Sequence, residues 1–248
     1  MPPCARPHGR REERAHTVKT IRENLLKINE NIAEAAIRSG REPGQVRLIC
    51  VSKTVGENEV REAIGAGQRD FAENRVQKLV EKQTLLADVR DCVRWHLIGQ
   101  LQTNKIKYCA GKVELIHSID RPGLLEALDR YASKKGITIE GLLELNLSGE
   151  ESKTGMRLDE LDGFLDVLPA NPHVILRGLM TMAPEGADER TLRKVFSECA
   201  RLAALIREKK IPNAPTAELS MGMSGDYEAA ILEGATMVRI GTVVFKTE

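Results

Sequence analysis

From Thr17 onward, Ile21, Leu25, Ile28, Ile32 and Ile37 recur at roughly helical spacing and Gly40 follows as a stop, which predicts one long amphipathic helix over 17–38. Beyond Gly40 the period changes. Short β-branched or leucine-rich runs alternate with helical stretches to the end of the chain. Strands are expected at 47–51, 70–72, 95–98, 113–117, 141–147, 174–181, 217–220 and 237–240. The stretches between them, at 58–66, 75–86, 123–135, 160–168, 189–210 and 226–233, read as helices. Strands separated by helices imply parallel pairing through right-handed crossovers.

Eight such units close into a barrel or stay an open doubly wound sheet, and the period alone does not separate the two. An open sheet wants a glycine-rich phosphate loop after its first strand, whereas Ser52-Lys53-Thr54 follows it here. Gly65-Ala66-Gly67 lacks a third glycine and ends a helix, so it is no dinucleotide fingerprint. The glycines gather late, at Gly222, Gly225 and Gly241, and a late phosphate site is a habit of barrels. The expected fold is therefore α/β: a single (β/α)8 TIM-type barrel over 17–248 with an added N-terminal helix. Residues 1–16 mix prolines, arginines and glutamates without a hydrophobic period and are expected to be a disordered extension.

Charge and composition narrow the partners. Acids and bases nearly cancel, 36 against 37, and aromatic residues make up only 3% without basic interleaving. Neither feature draws a chain onto nucleic acid. No apolar run reaches the roughly 20 residues of a membrane helix. Cys4, Cys50, Cys92, Cys109 and Cys199 are scattered, which writes neither a disulfide framework nor a zinc site and points to a reducing cytoplasm. A mitochondrial destination is the alternative, but Glu12 and Glu13 interrupt the arginines that would carry it. With no secretory signal, Asn146-Leu147-Ser148 is a chance match to a glycosylation acceptor.

Two features bear on chemistry. Lys53 closes the apolar run 48–51 at the C-terminal rim of the first strand, where barrel sites are built. A half-buried amine there has a lowered pKa and attacks aldehydes; the plain alternative is a solvated lysine at a strand end. The second is the glycine- and hydroxyl-rich run 220–226, joined by Arg239-Ile240-Gly241-Thr242 at the end of the last strand. Together they read as a phosphate cradle, against the alternative of a tight turn in which Ser224 caps a helix. His96, beside Trp95 on a strand, is a core histidine more often than a base. Asn146, Met180 and Met182 are expected to line the barrel mouth.

The stretches Val51-Ser52-Lys53-Thr54, Phe71-Ala72-Glu73-Asn74, the block 95–105, Lys153-Thr154-Gly155-Met156, Gly178-Leu179-Met180-Thr181-Met182, the run 220–226 and the segment 238–242, in this order, are highly specific. On them the sequence resembles the pyridoxal-phosphate homeostasis proteins of the YggS/PROSC type, which share their barrel with the N-terminal domain of alanine racemase. The resemblance implies that pyridoxal 5′-phosphate (PLP) is the cofactor and Lys53 its Schiff-base lysine. It further implies that Ser224, Gly241 and Thr242 bind the phosphate, that Arg239 faces the pyridine nitrogen, and that Asn74 and His96 lie near the ring or its entrance. Two departures are visible. Val55-Gly56 stands where the family often has a proline-containing turn, and the chain ends Phe245-Lys246-Thr247-Glu248 without the usual glycine and tail.

Two functions follow from the resemblance. One is a PLP carrier or reservoir in intracellular PLP homeostasis, a monomer that passes cofactor to apo-forms of PLP-dependent enzymes without catalytic turnover. The other is a PLP-dependent amino-acid racemase or lyase. A racemase needs a base on each face of the substrate, and its second base is a tyrosine of a C-terminal β domain. This sequence holds no such domain, and Tyr108, Tyr131 and Tyr227 fall at no expected strand end. An arginine opposite the ring nitrogen also leaves that nitrogen neutral, a poor electron sink. A barrel enzyme acting on another phosphorylated metabolite would leave Lys53 unexplained. The carrier is the expected function.

Overall fold

The computed structural model describes residues 20–150 and 154–246. The extension expected at 1–16, Lys153 and the final two residues of the chain lie outside them. Helix α1 (Ile21–Arg38) opens on a reciprocal cap in which Thr20 Oγ1 accepts from the Glu23 amide at 3.2 Å and Glu23 Oε2 accepts from the Thr20 amide at 2.9 Å. That cap sets the start of the helix at 21, and the expected positions 17–19 lie outside the described residues. Ile21, Leu25, Ile28, Ile32, Ala35 and Ala36 form its buried stripe, whereas Ile37 is 63% exposed. Five residues past Ile32, Ile37 has turned well off the stripe, and the alanines complete it.

The eight strands follow as β1 (Arg47–Val51), β2 (Asp70–Glu73), β3 (Arg94–Leu97), β4 (Leu115–Ile119), β5 (Ile139–Leu145), β6 (Val174–Thr181), β7 (Glu218–Ser220) and β8 (Met237–Ile240). They pair in parallel in chain order, and β8 returns to β1 with Cys50 opposite Ile240, so the sheet closes into a barrel. Closure decides what the alternation left open between barrel and open sheet. Around it stand α2 (Glu57–Gly65), α3 (Val76–Leu85), the one-turn α4 (Ile106–Cys109), α5 (Pro122–Lys135), α6 (Leu161–Val167), α7 (Glu189–Glu208), α8 (Tyr227–Leu232) and α9 (Thr242–Phe245). Helix α1 packs on α8, α9 and α2, closing the outer ring. Asn24 Nδ2 fastens the end of the chain by donating to the carbonyls of Val244 and Lys246 at 3.1 and 3.0 Å.

Residues i and i+2 of a barrel strand share a face. The outward set, Phe71 of β2 among it, packs under the helices, whose own Leu79, Phe164 and Phe196 are fully buried with it. The inward set begins as an apolar plug that includes Ile49, Val51, Ala72, Leu142 and Met180. The fourth strand runs two residues later than expected. Its centre is the polar pair His117-Ser118, at which the expected strand stops and which the barrel buries completely. The fifth strand ends two residues earlier than expected, because Asn146 organises a loop by donating to Glu150 O at 2.8 Å and accepting from Ser148 Oγ at 2.9 Å. Among the described residues no helix is long and apolar enough to cross a membrane.

Candidate functional site

Three neighbouring strands, β7, β8 and β1, bring the expected residues together at the C-terminal rim. The Arg239 amide donates to Gly222 O at 3.0 Å, so the loop after β7 runs beside β8. At Gly241 a Cβ would lie 2.7 Å from Val51 O, a distance only glycine permits. Lys53 stands two residues beyond Val51, on the inward parity of Ile49 and Val51. The amides of Ser224, Gly225, Thr242 and Val243 meet no acceptor among the described residues. Free N–H groups and two hydroxyls facing one rim suit an anion.

Ser224 does not cap α8, contrary to the alternative weighed from sequence. Asp226 is the N-cap residue, and its Oδ1 accepts from the Met223 amide at 2.5 Å. Burial pushes the Asp226 carboxyl up, against that hydrogen bond and the attraction of Arg239.

Lys53 is exposed and not half-buried as expected, and its amine has no hydrogen-bond or ion-pair partner among the described residues. The backbone beneath it is held firmly. Lys82 Nζ donates to Ser52 O at 2.5 Å and to Glu73 Oε1 at 2.5 Å, while Ser52 Oγ donates to the same carboxylate oxygen at 2.7 Å. All three side chains are buried. A recess of about 260 Å³ between Lys53, Thr54 and α3 adjoins this anchor. Sequence reasoning passed over Lys82, whose only sign was its place among the apolar positions of a helix. Val55 closes the turn by donating its amide to Ser52 O at 3.1 Å, so the family's proline is not needed to form one.

Asn74 is exposed at the rim after β2, next to Lys53 because Val51 pairs with Ala72. Gly99 fixes it there, since any Cβ at Gly99 would lie 2.0 Å from Asn74 O. His96 and Met180 are not at the entrance. Met180 is 1% exposed within the inner plug, and His96 is wholly buried, with Nε2 3.1 Å from Asp70 Oδ1 and Nδ1 3.0 Å from His117 Nε2. The pleat explains the difference: both sit one inward step below the rim, where Ile98 and Met182 take the upper places.

Arg239 is buried, with Nη1 donating to Ser220 Oγ at 2.7 Å and Nη2 to Thr181 O at 3.0 Å. Burial pulls its guanidinium down to about 10, against the attraction of Glu144, Asp226 and Cys199, so it stays charged at neutral pH. Glu144 on β5 is the carboxyl inside the mouth that the sequence reading missed. Burial raises its pKa, opposed by a hydrogen bond from Thr154 Oγ1. Thr154 arrives on a segment that returns to β5, with the Met156 amide on Glu144 O at 2.8 Å. A second recess, of about 510 Å³, lies at the opposite end near Arg47, Glu218 and Thr236 and holds none of the expected site residues.

Residues 24–248 match the family described as alanine racemase, N-terminal domain. A pyridoxal phosphate homeostasis protein of Aquifex aeolicus is 40% identical over 90% of this chain and 96% of its own length. That of Pseudomonas aeruginosa is 41% identical over 92% and 96%. The structure of PipY from Synechococcus elongatus with PLP bound superposes with a TM-score of 0.80 at 37% identity, covering 92% of this chain and all of that one. Alanine racemase from Corynebacterium glutamicum shares the fold alone, with a TM-score of 0.65 at 16% identity over 89% of this chain and 60% of the enzyme. By these measures the chain belongs to the pyridoxal phosphate homeostasis proteins, a family built on the alanine racemase N-terminal barrel.

Proposed function

We propose that the protein binds pyridoxal 5′-phosphate at this rim, attached through Lys53, and holds it for delivery to apo-forms of the enzymes that use it. PLP brings an aldehyde, which condenses with a primary amine with loss of water, and a phosphate. The donor set fits both. The observation that carries the proposal is an exposed Lys53 amine without a partner among the described residues, on a buried anchor, one strand from the open amides of Thr242 and Val243 and two from those of Ser224 and Gly225.

In this reading Lys53 supplies the attachment and Ser224, Gly241 and Thr242 hold the phosphate. Arg239 faces the pyridine nitrogen, and Asn74 borders the ring at the rim. His96 and Met180 form the floor below. All three tyrosines lie on helices, and Tyr227 OH is taken by Asn31 Nδ2 at 3.1 Å, so none is offered to the mouth as a base. The buried thiols of Cys109 and Cys199, pushed up to about 11 and about 12 by burial, stay protonated and offer no nucleophile.

A catalytic reading has one observation in its favour. Glu144 is a buried carboxyl with a raised pKa near the mouth, the kind of group that serves as a general acid. Two assays on the PLP-loaded protein separate the readings. A carrier restores the activity of an acceptor apoenzyme and shows no entry of solvent deuterium into the α position of amino acids over a day. Steady deuterium exchange that depends on Lys53 and falls in Glu144→Gln would replace the carrier by an enzyme.

A further inference from the structure

Behind Arg239 a file of polar side chains crosses the barrel interior. Arg239 Nη1 lies 2.7 Å from Ser220 Oγ, which lies 2.9 Å from His117 Nδ1. His117 Nε2 is 3.0 Å from His96 Nδ1, and His96 Nε2 is 3.1 Å from Asp70 Oδ1. Asp70 ends the file against Arg94, whose Nε and Nη2 donate at 2.9 and 2.5 Å. His96, His117 and Ser220 are wholly buried.

The chemistry of the two ends fixes every proton between them. A guanidinium only donates, so Ser220 Oγ accepts from Arg239. The Asp70 carboxylate only accepts, so His96 carries its proton on Nε2. Neutral His96 then has a bare Nδ1, which requires a proton on His117 Nε2. His117 in turn has a bare Nδ1, and the Ser220 hydroxyl donates to it. The opposite direction would need an imidazolium at His96, fully buried between Arg94 and Arg239, and would leave the Ser220 proton without an acceptor. Both are costly. Arg47 stands with Arg94 among the charges at the foot of the file, and Glu144 and Asp226 act on Arg239 at its head.

We propose that Asp70, His96, His117 and Ser220 are positioning residues: a one-way hydrogen-bond chain that locks both histidines as neutral Nε2–H tautomers and holds the Arg239 guanidinium in place beneath the ring. The chain supplies what Arg239 lacks, a path to a carboxylate it does not touch. Hydrogen bonds aligned head to tail polarise one another, which strengthens the oxygen that receives the arginine. The link to the cofactor rests on the placement of Arg239 proposed above, whereas the chain itself does not.

The test is nitrogen-15 NMR of the imidazoles in the full-length, PLP-loaded protein, with Ser220→Ala and Ser220→Thr beside it. Both buried histidines are expected as Nε2–H tautomers in neutral solution, and the His117 signals are expected not to move between about pH 6 and 8, the range in which a free imidazole titrates. Ser220→Ala is expected to raise the PLP dissociation constant about tenfold, the loss of one charge-assisted hydrogen bond, and to shift the visible band. Ser220→Thr, which keeps the hydroxyl, restores both. An Nδ1–H tautomer or an imidazolium at either histidine overturns the chain. With the tautomers as expected, unchanged affinity in both Ser220→Ala and Arg239→Gln would show that Arg239 does not face the cofactor. A loss in Arg239→Gln alone would show that the chain does not position it.

Discussion

Between the barrel wall and the helices the buried side chains are mostly apolar, with Phe71 of β2, Phe164 of α6 and Phe196 of α7 fully buried and the Ser52, Glu73 and Lys82 anchor a polar exception. On the inner side, Ile49, Leu142 and Met180 share the space with Asp70, His96, His117, Ser220 and Arg239. Any eight-stranded α/β barrel needs the first arrangement, and a range of hydrophobic residues of suitable volume provides it. The second costs several kcal/mol per buried charge before pairing, and stability alone does not call for it. Its polar file ends at the rim where Lys53, Gly222 and Gly241 converge. The outer layer accounts for the fold, and the inner one for what sits at its mouth.

The sharpest contrast is expected from Phe196→Ala in the outer layer. Truncating a fully buried phenylalanine should cost about 3 to 5 kcal/mol in urea unfolding and leave PLP affinity of the folded protein unchanged. Equal losses of stability and affinity would break the division between the layers.

The rim should behave in the opposite way. Ser224→Ala and Thr242→Val each remove one hydroxyl from a site that keeps its amides. Each is expected to weaken PLP by about 1.5 to 3 kcal/mol, roughly 10- to 150-fold, with little change in unfolding. Equilibrium dialysis unchanged for both variants would place the phosphate elsewhere.

The smallest effect is a pH slope from the inner layer. Burial, the neighbouring His96 and nearby arginines hold His117 well below its usual range, so the unfolded chain takes up a proton there that the folded chain refuses. That contribution to stability is intact above the unfolded value near 6.5 and is lost as pH falls beneath it, at about 1.4 kcal/mol per unit for one proton. His117→Gln should flatten the profile between about pH 6.5 and 5 by that slope. Parallel profiles would mean that His117 is protonated in the fold.

The same division governs how much was legible in the sequence. The outer layer writes a period, so β1, β6 and β8 fall where the pattern puts them and the six helices expected between strands differ by a residue or two at their ends. The inner layer breaks the period. His117-Ser118 hid the end of β4, and Glu144 inside the barrel, like Lys82 on α3, went unread although both are buried. A hydrophobic pattern cannot distinguish a charge in water from one paired inside a barrel. Rim residues were legible for another reason: glycines and hydroxyls at strand ends mark close backbone approach, as Gly241 against Val51 O bears out. Met180, expected at the mouth, lies one step lower because composition does not show which turn of the pleat meets the mouth, and of the two places expected for His96, near the ring or at its entrance, burial rules out the entrance.

The central claim is that Lys53 holds the cofactor. The direct measurement is borohydride reduction of the PLP-loaded protein, followed by peptide mapping, with Lys53→Ala in parallel. A visible band that borohydride removes, a pyridoxyl group on Lys53, and neither in a folded Lys53→Ala protein are expected. A pyridoxyl group confined to another lysine, or no reducible band in protein supplied with PLP, would contradict the account.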